Sequence, residues 1–120
     1  MQRWNLLEIQ TPGGSRSPVV LDTDDVGRVV LIRLEPGQRL GDHEVKEHAF
    51  VLVVDGSASV EVGGETVDAP AGALFHFEPA ERHAVSTDGG ARLLLFLAPW
   101  PGAGHYRGDQ PAAAAAEPDA

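Results

Sequence analysis

The chain has no cysteine. Disulfides, thiolate metal ligands and cysteine nucleophiles are therefore excluded. Positive charge is scarce as well. Against 18 acidic residues stand 9 Lys and Arg, for a formal net charge of -9, and no Lys/Arg cluster occurs anywhere. Phosphate binding needs a basic surface, so no nucleic-acid partner is expected, and the acidity reads as a contribution to solubility. Long apolar runs are missing too. None approaches the roughly 18 residues of a membrane span, so no membrane partner is expected. The opening MQRWNLLEIQ has neither an apolar stretch nor a small-residue cleavage site. A secretory signal is thus not expected, and a cytoplasmic location is. Amphipathic helical periodicity is also absent.

What the chain does have is punctuation. Its 14 Gly and 9 Pro are high for 120 residues and point to many turns between short strands. Residues 28–37 (RVVLIRLEPG) are β-branched and aliphatic, then stopped by Pro-Gly. Residues 48–56 (HAFVLVVDG) read as a strand ending in Asp-Gly, followed by SASVEVGGE with a hairpin turn at Gly63-Gly64. ALFHFEP (73–79) and ARLLLFLAPW (91–100) are further strands closed by proline. Strands at this spacing predict an all-β sandwich or barrel. Residues 1–27 are expected to pack on the barrel as strands and loops. Residues 28–101 form the barrel itself, and 102–120 (GAGHYRGDQPAAAAAEPDA) read as a disordered tail. AFVLVV (49–54) and LLLFLA (93–98) are apolar on both faces, so their outer faces need a cover. A homodimer through this sheet is the expectation.

Two stretches carry a paired motif. Gly37 is followed after five residues by His43, and Gly56 closes the first stretch. Gly64 is followed after five residues by Pro70-Ala71-Gly72, with His83 eleven positions beyond Gly72. This pattern resembles that of the cupin family, over about residues 28–100. The resemblance implies a cupin-type double-stranded β-helix, a jelly-roll barrel. It also implies a centre of three His and one Glu holding one divalent ion of iron, manganese, zinc, nickel or copper.

The sequence departs from that set. The family's second His falls on Val45 and its Glu on Ala49, leaving His43 and His83 in place. Strand parity puts Val45, Glu47 and Ala49 on the same face as His43. Glu47 is therefore the expected replacement ligand, giving a His43, Glu47, His83 set that resembles a 2-His-1-carboxylate site. A bulge would bring in His48 instead. His76 is expected on the opposite face, and Trp100 over a barrel end.

Three functions follow, each with a small-molecule ligand or substrate. The first is a divalent-metal enzyme of dioxygenase, isomerase, cyclase or lyase type, with Glu44 as base. The second is a metal-poor cupin that binds or senses a small ligand, favoured by apolar Val45 and Ala49 at ligand positions. The third is a metal-free acid/base catalyst using the His43/His83 pair. Whether the chain is an enzyme stays open at this level, because one barrel hosts many chemistries.

Overall fold

A computed structural model describes residues 1–11 and 18–102, with Asp42 and His43 described through their backbone only. The aliphatic runs between Gly and Pro breakers form eight strands. They are β1 (Val19–Thr23), β2 (Arg28–Leu34), β3 (Arg39–His43), β4 (His48–Val62), β5 (Glu65–Pro70), β6 (Leu74–Phe77), β7 (His83–Ser86) and β8 (Ala91–Ala98). The described residues contain no helix. β1, β2, β8, the first half of β4 and β6 pair side by side, all antiparallel. The second half of β4 pairs with β5 and β7, and β3 closes on β7. This curled sheet is the double-stranded β-helix expected from the sequence.

β4 joins the two halves of the barrel. The sequence places a strand end at Asp55-Gly56, but β4 runs through it without a break. The reason is local geometry. The ladder with β8 shifts between Val53 and Asp55, and Gly56 takes a positive φ of 77°. A Cβ there would run into the carbonyl oxygen of Gly90. Glycine thus bends the strand from one sheet into the other instead of reversing it.

Alternation sets the core. Val30, Ile32 and Leu34 of β2, Ala49, Val51 and Val53 of β4, and Leu93, Leu95 and Leu97 of β8 all face inward and are buried. Trp100 joins the same cluster, as expected for a barrel-end residue, with the Arg28 guanidinium 4.8 Å over its ring. Each buried Leu or Ile contributes roughly 1.5–3 kcal/mol of transfer free energy.

The outer face of the first sheet is apolar as well. Leu31, Leu94, Leu52 and Leu74 form one cross-strand row through β2, β8, β4 and β6, and Val29, Phe96, Phe50 and His76 form the next. Leu31 is fully buried, whereas Leu74 is 62% exposed and Phe50 37%.

The N-terminal segment is tied to this frame by arginine. Arg92 Nη1 donates to the carbonyls of Leu6 and Leu7 at 3.0 and 3.2 Å, and its Nε donates to Asp55 at 3.1 Å. The tail expected over 102–120 lies outside the described residues from 103 onward. Gly102 itself is buried.

Candidate functional site

Pairing of β3 with β7 sets His43 opposite His83. The motif histidines, 40 positions apart in the sequence, are thus brought together at one end of the barrel. His83 is 4% exposed. Its Nδ1 donates to the Glu81 carbonyl at 3.0 Å, which leaves Nε2 as the basic nitrogen of the neutral ring. The Phe77 ring lies flat against His83, with centroids 3.8 Å apart and planes 2° from parallel. Ala49 is the direct cross-strand neighbour of Phe77, and Val45 and Phe75 pack against the same core. His83 thus has an aromatic ring stacked on it, and the strand beside that ring carries apolar Ala49.

Glu47 lies just before β4 and is completely buried, in keeping with the inward parity read from the sequence. One of its carboxylate oxygens, Oε2, accepts the Gly102 N–H at 2.7 Å. A Cβ on Gly102 would press on the Lys46 carbonyl, so the chain leaving Trp100 can sit this close only as glycine. At least part of the Glu47 charge is thus used to hold the end of the barrel together.

Glu44, the expected base, is half-buried and paired with Arg82, Nη1 to Oε1 at 3.3 Å. The pair sits next to both motif histidines in sequence and straddles the two segments that carry them. The turn between β6 and β7 is fastened to the same region by the Ala80 N–H, which donates to the Val45 carbonyl at 2.7 Å. Ala80 has a positive φ of 67°.

His48 lies elsewhere. The bulge that would turn it inward is not found, because the irregularity of β4 falls at Val53/Asp55. His48 keeps the parity of Phe50 and sits on the outer face. There it meets His76, also on the outer face as expected, with His48 Nδ1 2.9 Å from His76 Nε2 and the two rings stacked 5.1 Å apart. Glu78 completes the cluster, with oxygens 3.9 Å from His48 Nδ1 and 3.8 Å from His76 Nδ1. One donor atom from each of the three lies within 4.8 Å of the others. A His-His-Glu group of this kind could hold a metal ion. Sequence reasoning does not single out Glu78. Its only signal is parity with His76, and parity says nothing until β6 is known to lie beside β4.

A cleft of about 480 Å³ opens between residues 7–11 and the Gly56/Gly90 crossing, with Arg33, Glu35, Asp55 and Arg92 on its walls. It does not reach His83.

With the barrel, its glycine corner and the His43/His83 register in view, the comparison with known proteins is decisive. The cupin domain model matches residues 30–98. The chain belongs to the cupin family. An RmlC-like cupin from Desulfovibrio desulfuricans is similar in structure, with a TM-score of 0.72 at 22% identity over 82% of this chain and 97% of that one. A double-stranded β-helix protein from Klebsiella pneumoniae has a TM-score of 0.74 at 19% identity, covering 85% of this chain and 93% of its own. A Thermus thermophilus protein has a TM-score of 0.73 at 21% identity, covering 82% and 98%. At these identities the likeness is one of fold. No curated protein matches the chain.

The family's four-ligand centre does not fit this cupin. Val45 and Ala49 carry no donor atom, so two of the four positions cannot ligate anything.

Proposed function

We propose that this cupin is a cytoplasmic small-molecule-binding protein that takes its ligand at the barrel end around His83, without the family's four-ligand metal centre. The observation that carries this reading is the set of neighbours of His83. A buried imidazole held by a backbone carbonyl is stacked on Phe77, whose cross-strand neighbour is Ala49, and Ala49 and Val45 stand at two of the family's ligand positions. Binding sites for small organic molecules have this character, an apolar lining with a few oriented polar groups. The ligand class that suits it has a planar or apolar body and one group able to hydrogen-bond an imidazole.

The experiment combines metal content with ligand binding. Untagged protein is expected to carry far less than one metal per chain at the barrel end. A panel of small aromatic and aliphatic carboxylic acids, screened by thermal shift, should contain a compound that stabilises the wild type and not His83→Ala. A stoichiometric metal that disappears in His83→Ala would overturn the proposal.

A second reading is a divalent-metal enzyme using His43, Glu47 and His83, with Glu44 as base. Two observations favour it: Glu47 is buried on the inward side, and His83 is oriented through Nδ1 as metal-bound histidines commonly are. Glu47→Gln separates the two readings. It should abolish a bound metal under the second and leave ligand binding largely intact under the first.

We also propose that two copies pair through the outer face of the first sheet. The support is the apolar row Leu31, Leu94, Leu52 and Leu74 with Phe96 and Phe50 beside it, Leu74 and Phe50 being exposed at one side. A face of this kind is self-complementary about a two-fold axis.

A further inference from the structure

We infer that His48, His76 and Glu78 form a binding site for one divalent transition-metal ion, on the outer face of the barrel and separate from the motif histidines. The placement comes from register. Ala49 pairs with Phe77, so His48 stands across from the position of Glu78, and His76 is the diagonal neighbour two residues before it. All three even-numbered positions point to the outer side, whereas Ala49 and Phe77 between them point inward and are buried.

The donor set selects the ion. Two imidazole nitrogens and one carboxylate oxygen suit zinc, nickel, cobalt or copper, while magnesium and calcium prefer oxygen alone. Metal–nitrogen bonds of about 2.0–2.1 Å in a tetrahedral site place donors about 3.3 Å apart. His48 Nδ1 lies 2.9 Å from His76 Nε2 and 3.9 Å from Glu78 Oε1, and one donor atom from each of the three side chains lies within 4.8 Å of the others, so modest side-chain shifts bring the set to ligating spacing. The three side chains are 43%, 36% and 67% exposed and can make that adjustment by small rotations.

The surroundings argue against a merely solvated trio. The Phe50 ring lies 4.8 Å from His76 and 6.3 Å from Phe96, so the imidazole pair rests on an aromatic floor that limits its rotamers. The 2.9 Å contact between His48 Nδ1 and His76 Nε2 holds two nitrogen donors side by side on this floor. The net charge of -9 favours cation approach.

The test is zinc binding by the full chain after chelator treatment, read by calorimetry. One equivalent of Zn²⁺ should bind the wild type. His48→Gln and His76→Gln should each weaken it at least tenfold, and His83→Ala should leave it unchanged. Co²⁺ provides a second readout, since four-coordinate binding gives visible absorption bands that His76→Gln should remove. Circular dichroism of the variants checks that folding is intact, as expected for exposed positions. Absence of saturable Zn²⁺ binding, or binding that survives both His48→Gln and His76→Gln, overturns the inference. Loss in His83→Ala alone would overturn it too, and would point instead to a metal at the barrel end.

Discussion

Glu47 shows how one residue can satisfy a sequence motif and still be spent on structure. Its carboxylate accepts the N–H of Gly102 inside the protein. Glu47→Ala would leave that buried N–H without its acceptor, at a cost of about 1–3 kcal/mol. Glu47→Gln keeps a side-chain oxygen in place and should cost less, a ranking that urea denaturation will check. Ala80 is a second case. Its positive φ of 67° is unfavourable for any residue with a Cβ, and its N–H is committed to the Val45 carbonyl. Relief of that strain outweighs the added chain entropy of glycine, so Ala80→Gly should stabilise the fold by roughly 0.5–1 kcal/mol. A lower melting temperature for the glycine variant would contradict this account.

At the scale of the element, β4 is the strand on which the architecture turns. Its passage through Gly56 requires both a positive φ and the close approach of Gly90. Gly56→Ala adds strain at φ to a collision with backbone, and a loss of about 2–3 kcal/mol is expected in chemical denaturation. Just before this bend, Asp55 and Arg92 join β4 to β8. The hydrogen bond from Arg92 holds the Asp55 carboxyl below the ordinary carboxylate range, and the same bond raises the Arg92 guanidinium further. The sign follows from the depressed carboxyl. The folded state favours the ionised form, so the pair stabilises above the unfolded carboxylate pKa of about 3.9 and fades as pH falls through the lower folded value. Asp55 is 45% exposed, and solvent keeps the contribution below about 1 kcal/mol. Asp55→Asn should therefore lower the melting temperature slightly at pH 7, by an amount that shrinks as the pH falls below about 3.9.

For the whole molecule, the decisive feature is that the first sheet is apolar on both sides. The inner side makes the core, and the outer side leaves Leu74 and Phe50 in contact with solvent in a single chain. Light scattering at micromolar concentration is expected to give a dimer mass, and Phe50→Glu or Leu74→Asp is expected to give a monomer with an unchanged circular dichroism spectrum. A monomeric wild type would dispose of the pairing. The described residues hold no helix long and apolar enough to cross a membrane, in agreement with the absence of a long apolar run.

Much of this architecture is legible in the order of the residues. Gly37, Gly56, Gly64 and Gly72, the proline stops and the period-two strands determine a cupin barrel, because turn geometry and alternation are local and each acts within a few residues. The same alternation puts Glu47 inside and His76 outside. It cannot say that Asp55-Gly56 carries a strand onward, since that depends on Gly90 lying against it from 34 positions away. Nor can it bring Glu78 beside His48, take a Glu47 oxygen for Gly102, or lay Phe77 over His83. Those pairings are contacts between distant segments, and only the closing of the sheet decides which side chains meet. The sequence by itself therefore determined the barrel and its two motif histidines, and the tertiary structure decided which donors stand around them and which gather on the outer face.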